Sequence, residues 1–260
     1  MNETNHIMTS SIKFLLTAIF FAISMCAFTQ PQQAINDNTS VMTERPVSGF
    51  SSIRIQGPFD VYITQGTSES LKLDAPAEIL NRMVTEVNGS VLNIHNKHDN
   101  WSAGPKSWYS DKSWWHTHKR ITIYVTAKLL NKVSVSGSGH IFFSNSIAAN
   151  DFKLMVRGSG QIDGAIVVKT LKGRISGSSH IKLSGKAENS TVRISGSGYF
   201  SARELFTLNS AVHVSGSGHA DINANEKVDA VVRGSANVSY TGDAKMINAS
   251  KSGSGVISRR

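Results

Sequence analysis

Hydrophobic and polar residues alternate along most of the second half of the chain, and a short glycine-serine phrase interrupts the alternation at regular intervals. In Val192-Arg-Ile-Ser-Gly-Ser-Gly198, apolar and polar side chains alternate up to the first glycine. This period of two is typical of a half-buried β-strand. A second alternation follows the phrase, as in His180-Ile-Lys-Leu183. Each interval therefore predicts two or three short strands joined by a tight bend.

The spacing of the glycine-serine phrase is nearly constant. Its first glycines are Gly137, Gly158, Gly177, Gly196, Gly216, Gly234 and Gly253. A period near twenty residues, without helix-forming composition between copies, indicates a solenoid built from strands. Glycine suits the bends because it adopts positive φ without a Cβ penalty. The sequence thus predicts an all-β, parallel β-helix-like solenoid with coils of about 19–20 residues, these seven glycines being structural turn residues stacked in one column.

The N-terminal segment has the pattern of an export signal. Residues 14–28 are almost all apolar and follow Lys13, which predicts a signal peptide over residues 1–29. The single cysteine, Cys26, lies in this segment, so a cleaved chain would carry no disulfide. Lipid attachment at Cys26 is the alternative, because Ile23-Ser24 fits a bacterial lipobox although Met25 does not. The expected location is the periplasm, the outer-membrane surface or the extracellular space, with no membrane span in the mature chain.

The net charge of +9 comes from 27 basic against 18 acidic residues. Arg157, Arg174 and Arg193 are examples of basic residues at outward positions of predicted strands. We interpret them as parts of a solvated surface, so nucleic acid is not a predicted partner. Weak attraction to anionic surface polysaccharide or lipid is the functional alternative.

Several segments resemble a known family. Residues 45–50 lead into Ile55-Gln-Gly-Pro-Phe-Asp-Val-Tyr-Ile-Thr-Gln-Gly66, and Ile121-Thr-Ile-Tyr-Val-Thr-Ala-Lys-Leu129 precedes the first Val-Ser-Gly-Ser-Gly. This order resembles the putative autotransporter adhesin family, head GIN domain, which is common in exported proteins of Bacteroidetes-type bacteria. The resemblance implies a parallel β-helix-like fold, an envelope or surface location, and no established catalytic residues.

These observations give a prediction for the domain organisation. Residues 1–29 are the signal peptide, 30–44 a flexible N-terminal segment, and 45–258 a head GIN-like β-solenoid domain. A Trp/His-rich loop insertion is predicted over residues 96–119. A short helix is predicted near residues 76–83.

The insertion contains the most unusual local composition of the chain. It holds all four tryptophans and a neighbouring tyrosine: Trp101, Trp108, Tyr109, Trp114 and Trp115. Aromatic side chains on a loop often mark recognition, and tryptophan faces stack well on sugar rings. The alternative is that these rings fold back and cap the end or side of the solenoid. We therefore name the five residues as candidate ligand-binding residues.

Histidines supply only a weak candidate for metal binding. His116 and His118 alternate on one predicted strand face, as zinc or copper ligands can, but cysteine is absent there and carboxylates are few. The repeat histidines His140, His180 and His219 would lie about 9.6 Å apart on alternate coils, too far to share a metal. We predict no metal site and no cofactor.

The sequence does not predict an enzyme. The carboxylates of the repeats form no recurring close pairs, whereas glycoside hydrolysis requires two that face each other. The glycine-serine phrases lack the Gly-Lys-Ser/Thr of a phosphate-binding loop. The leading prediction is an exported, non-enzymatic surface or periplasmic binding module, adhesin-like, whose partner is a surface glycan, another surface polymer or an envelope protein. The alternative is a structural envelope protein that assembles into homo-oligomers through its β-helix ends, without a discrete ligand site.

Overall fold

The computed structural model describes residues 40–97 and 121–260, which form seventeen strands and one short helix. The helix, α1 (Ala77–Leu80), lies within the range where the sequence predicts one. The strands are β1 (Ser40–Arg45), β2 (Ser52–Gln56), β3 (Asp60–Gln65), β4 (Ser70–Pro76), β5 (Met83–Asn88), β6 (Val91–Asn96), β7 (Thr122–Ala127), β8 (Lys132–Gly137), β9 (His140–Phe143), β10 (Ile147–Gly158), β11 (Gln161–Gly177), β12 (His180–Gly196), β13 (Tyr199–Gly216), β14 (His219–Gly234), β15 (Asn237–Thr241), β16 (Met246–Ser252) and β17 (Val256–Arg259).

Consecutive coils stack in parallel and in register from β8 onwards. Each of the strands β10 to β14 pairs with the next over most of its length. We call the first glycine of each glycine-serine phrase a corner glycine. The strand segments before the corner glycines form face A, and those after them form face B. The segments between them, such as Ile166–Val168 on β11, form face C. The predicted short strands of one coil are thus consecutive segments of long continuous strands.

The corner glycines lie in one column. Ladder pairing joins each to the next, through Gly137, Gly158, Gly177, Gly196, Gly216 and Gly234. These glycines and Gly253 all have φ between 101° and 117°. Backbone hydrogen bonds link successive corners, for example from the Ser217 amide to the Gly196 carbonyl at 3.0 Å. The column confirms the predicted β-solenoid.

Alternating apolar side chains point into a single core that runs through the stack. Val192 and Ile194 on β12 are buried, whereas Arg193 between them is exposed. The largest fully buried side chains include Phe59, Phe152 and Phe200. Burial of one such side chain contributes about 1.5–3 kcal/mol to folding. A single coil has no other layer against which to bury this surface, so the coils stabilise one another.

The N-terminal coils do not follow chain order. On face A, β2 pairs with both β6 and β8, and on face B, β3 pairs with both β7 and β9. The coil formed by β2 and β3 therefore lies between two coils that come later in the chain. One is formed by β6 and β7, and the other, formed by β8 and β9, begins the regular stack. Antiparallel strands cover this end, since β5 pairs with β6, β4 with β7, and β1 with β4.

One predicted boundary is wrong. Residues 40–44, assigned from sequence to a flexible segment, form most of β1. The apolar side chains of this stretch, Val41 and Met42, are exposed and add little core burial, and the strand is held by backbone pairing with β4, between Glu44 and Lys72 for example. The ordered domain therefore begins before residue 45. Within the described residues, no helix has the length and apolar character needed to cross a membrane.

Candidate functional site

The sequence-predicted binding and metal residues lie outside the described residues. They are Trp101, Trp108, Tyr109, Trp114, Trp115, His116 and His118, all within residues 98–120. The segment that carries them joins β6, which ends at Asn96, to β7, which begins at Thr122. Its ends are thus attached to the outer coil of the N-terminal region.

An exposed row of aromatic rings begins beside this attachment point. Tyr124 on β7 stacks on Tyr62 of β3 with ring centroids 5.4 Å apart, and Tyr62 stacks on Phe142 of β9 at 5.1 Å. The three residues share one outward position of face B, because Tyr62 pairs in register with both neighbours. Tyr62 and Tyr124 are 36% and 40% exposed. We call these three residues the aromatic row.

Further along face B, a second row occupies the first position after each corner. In register it contains His140, Gln161, His180, Tyr199 and His219. The Tyr199 ring contacts His180 and stacks on His219, with centroid distances of 4.6 and 5.0 Å. As expected from the sequence, Gln161 and Tyr199 separate the histidines.

A buried carboxylate lies beneath this second row. Asp221 is 1% exposed and accepts hydrogen bonds from the Tyr199 hydroxyl at 2.6 Å and from Arg203 Nε at 2.9 Å, both on Oδ2. His219 Nε2 lies 3.1 Å from the other carboxylate oxygen. Both oxygens are therefore engaged by neighbouring side chains. We call these four residues the Asp221 cluster.

The pKa values in this cluster follow from its contacts. Burial by itself would raise the pKa of Asp221, but hydrogen bonds from Tyr199 and Arg203 and the charge of His219 together hold that pKa below its ordinary value. The hydrogen bond that Tyr199 donates to Asp221, aided by burial, raises the pKa of the phenol. Asp221 is thus held as a carboxylate and Tyr199 as a neutral donor.

Irregular coil lengths create the Asp221 cluster. The spacing from Gly196 to Gly216 is 20 residues and that from Gly216 to Gly234 is 18. The difference appears as a break in register between β13 and β14, where residues 203–205 lie between the pairs that Ala202 and Phe206 make. Arg203 lies in this bulge and reaches Asp221. Sequence reasoning missed the cluster, although the unequal spacing was the available signal.

Face A carries rows of cations. Arg174 and Arg193 pair in register, with His213 next in the same row. Two positions closer to the corner, Arg157 and Arg233 stand at the ends of a row with Ser176, Ser195 and Ser215 between them. Together these eight residues line a shallow depression of about 520 Å³, which we call the basic trough. The sequence interpretation treated such residues as a dispersed solvated surface, but stacking aligns them.

The described surface is therefore organised as rows that repeat along the stack. No cluster of three or more metal-binding side chains occurs within residues 40–97 and 121–260. A β-solenoid whose distinctive side chains form linear rows on its outer faces is a scaffold suited to extended ligands.

The sequence of the chain assigns it to a protein family. A family model described as putative auto-transporter adhesin, head GIN domain, matches residues 49–244. The chain belongs to this family. No curated protein matches it.

Solved structures share the fold. A putative adhesin from Bacteroides fragilis matches with a TM-score of 0.76 and 24% identity, over 85% of this chain and 97% of that one. A putative lipid binding protein from Parabacteroides distasonis matches with a TM-score of 0.67 and 22% identity, over 85% and 97%. A putative adhesin from the same species has a TM-score of 0.68 and 17% identity, over 86% and 98%.

Proposed function

We propose that this protein is an exported, non-enzymatic binding module that attaches to a carbohydrate or another surface polymer through face B near the N-terminal end. The observation that supports this most directly is the aromatic row, which lies beside the attachment of the tryptophan-rich segment. Exposed aromatic rings offer apolar area with little conformational freedom to lose on binding. Membership of an adhesin family supports the same assignment.

The non-enzymatic part of the proposal is supported by the buried carboxylate of Asp221. Asp221 is almost fully buried, and the contacts from Tyr199, Arg203 and His219 engage both of its oxygens. A general acid or nucleophile needs an oxygen within reach of substrate. The cluster instead has the features of a structural ion pair that closes the bulge in β13.

A glycan array compared across variants tests this proposal. Joint Tyr62→Ala and Tyr124→Ala substitution should weaken glycan binding roughly tenfold, because an aromatic contact contributes on the order of 1 kcal/mol. Trp108→Ala, Trp114→Ala and Trp115→Ala together should abolish it. Phe206→Ala is the matched control, since Phe206 is 44% exposed but lies on face C.

Two results would contradict the proposal. Glycan binding that survives in both sets of variants would exclude the aromatic surface as the site. Release of shortened polysaccharide by the wild-type protein would show an enzyme. Circular dichroism of each variant separates loss of binding from loss of fold.

A second function, assembly through a coil end, is favoured by one observation. The outer edge of β16 pairs with no strand among the described residues, and Met246 and Ile247 on it are 58% and 42% exposed. Unpaired strand edges recruit other strands. If this edge mediates assembly, light scattering will show oligomers that grow with concentration and are lost on Ile247→Lys; a monomer at all concentrations excludes it.

A further inference from the structure

We propose that the basic trough on face A is a second binding site, which takes a linear anionic polysaccharide. This inference rests on the proposed function for the idea of a surface polymer as ligand, but it uses a different face and different chemistry. The site is defined by Arg157, Arg174, Arg193, His213 and Arg233 around three serines.

The trough has the form of a short channel along the stack. Arg157 and Arg233 stand four strand steps apart, or about 19 Å at the usual strand spacing. Between them the row contains only the small side chains Ser176, Ser195 and Ser215, all exposed. Arg174, Arg193 and His213 form one side of this serine floor. An extended chain fits along such a channel, whereas a compact ligand would reach only part of it.

The side chains of the trough suit a sugar polymer that bears acidic groups. Guanidinium groups present a planar fork of donors that matches carboxylate or sulfate in a bidentate manner. Serine hydroxyls can both donate to and accept from sugar hydroxyls. The repeat places these groups at one strand spacing, so that the coils of Arg174 and Arg193 each offer one arginine and one serine to consecutive units of a chain.

The trough arginines are free of ion pairs within the part of the chain that the structure describes. None of the four arginines forms an ion pair with a described residue, and Asp151 on β10 and Asp229 on β14 do not pair with them. Like charges on adjacent strands destabilise a sheet. The in-register pair Arg174 and Arg193 therefore has a cost to folding that no ion pair within residues 40–97 and 121–260 offsets, and an anionic ligand would offset it.

The cationic surface extends beyond the trough. Lys132, Lys153 and Lys172 pair in register two positions further from the corner than Arg174. The same row continues through Thr191 and Ala211 to Asp229, so its acidic residue lies three strands beyond Lys172. The positive potential of face A is therefore broader than the trough itself and would attract a polyanion before it settles in the channel.

The surroundings favour a polysaccharide over a membrane or a nucleic acid. From β8 to β14, no outward position of face A carries a large hydrophobic side chain that is fully exposed, and Met155 and Val231 there are half-buried. A peripheral membrane surface needs such side chains to insert. Phenylalanine, tyrosine and tryptophan are also absent from those outward positions, whereas single-stranded nucleic acid is held largely by stacking on aromatic rings.

Binding of the full chain to defined probes tests the site. The probes are heparin and polygalacturonate as sulfated and carboxylated chains, neutral dextran, vesicles of phosphatidylglycerol and phosphatidylcholine, and single-stranded DNA. Surface plasmon resonance should show binding to heparin or polygalacturonate that weakens as salt rises, with dextran bound far less tightly. Joint Arg174→Gln and Arg193→Gln should weaken this binding roughly tenfold.

A charge-matched pair provides the control. Lys182→Gln and Lys186→Gln together remove the same net charge from exposed positions on faces B and C. We expect less than a roughly twofold effect, because net charge alone acts weakly at a distance in salt. Arg174→Lys with Arg193→Lys keeps the charge but loses the guanidinium fork, so an intermediate loss is expected. Ser195→Glu places an anion on the floor and should block binding.

Several outcomes would overturn the proposal. They are equal losses in the arginine and lysine pairs, dextran bound as well as the anionic chains, no binding to either anionic polysaccharide, or tighter binding to the vesicles or the DNA. The aromatic-row variants distinguish the two sites. If only neutral glycan binding is lost with Tyr62→Ala and Tyr124→Ala, both sites stand; if heparin binding is lost with them too, the trough is not a separate site.

Discussion

The repeat stack (residues 132–241) and the N-terminal region (residues 40–97 and 121–127) use glycine differently. In the stack, a Cβ on Gly216 would lie 2.6 Å from the carbonyl oxygen of Gly196. In the N-terminal region, Gly89 also has positive φ, at 61°, but a Cβ there would meet no atom within 4 Å. Both glycines satisfy a dihedral requirement, and only the stacked one also permits close approach of neighbouring backbones. Gly216 in the regular phrase therefore marks close stacking, whereas Gly89 marks only a turn.

Connectivity differs between the two regions as well. In the stack each coil pairs with the coil about one period away in sequence, such as Gly177 with Gly196. In the N-terminal region Ser52 pairs with Lys132, and β2 and β3 sit between later strands. Contacts between distant parts of the chain cost more loop-closure entropy and form more slowly. Closure of the N-terminal coils therefore requires contacts between residues further apart in sequence than closure of the stack does.

The largest expected effect comes from substitution of a corner glycine. Gly216→Ala should lower the free energy of unfolding by about 3 kcal/mol or more, because it adds a backbone clash to a strained φ. Gly89→Ala should lower it by only about 1 kcal/mol, the cost of positive φ alone. Denaturant unfolding of both variants measures the difference. Equal losses would show that stacking imposes no extra requirement for glycine.

The second-largest expected effect is a loss of stability when the Asp221 cluster at the bulge in β13 is disrupted. Asp221→Asn should lower the free energy of unfolding by about 2 kcal/mol at neutral pH, since Arg203 loses its charged partner and the buried amide cannot accept all the hydrogen bonds. Arg203 is 48% exposed, which keeps the loss below that of a fully buried pair.

The pH dependence of this loss has a defined sign. The folded-state pKa of Asp221 is lowered, so its stabilising contribution is present above the pKa of the unfolded chain and disappears as pH falls through the folded-state value. Thermal melts should therefore separate wild type from Asp221→Asn at neutral pH, and this separation should shrink progressively as pH falls below about 4 and through the lowered folded-state pKa. A separation that persists unchanged at low pH would contradict the role of the carboxylate.

The smallest expected effect is a gain in stability. Ser190 and Ser210 pair in register inside the core, 3% and 2% exposed, and their hydroxyls have no hydrogen-bond partner within the described chain. Ser210→Ala should raise the free energy of unfolding by up to about 1 kcal/mol, because it removes an unsatisfied polar group. Ser217→Ala, at an exposed corner, is the control and should leave stability unchanged. A loss on Ser210→Ala would mean that its hydroxyl has a partner in solution.

The candidate sites could be predicted only in part. Arg174 and Arg193 occupy the same position relative to the corner glycine, so alignment of the repeats would have placed them side by side. The aromatic row could not be found in this way, because Tyr62, Tyr124 and Phe142 come from coils stacked out of chain order. The Asp221 cluster required knowledge of where the extra residue of β13 would bulge. The unequal spacing of the corner glycines indicates that an irregularity exists but not where it lies.

The sequence alone determined where the strands and the bends occur. Alternating apolar and polar residues predict strands and glycines of positive φ predict bends, because both properties depend only on neighbours in sequence. From these the coil period, the shared core and the glycine column followed. Which distant coils become neighbours depends on how buried surface and backbone pairing are satisfied over the whole stack. That global requirement set the stacking order of the N-terminal coils and made residues 40–45 a strand. It also aligned basic and aromatic side chains that are dispersed in sequence into continuous rows.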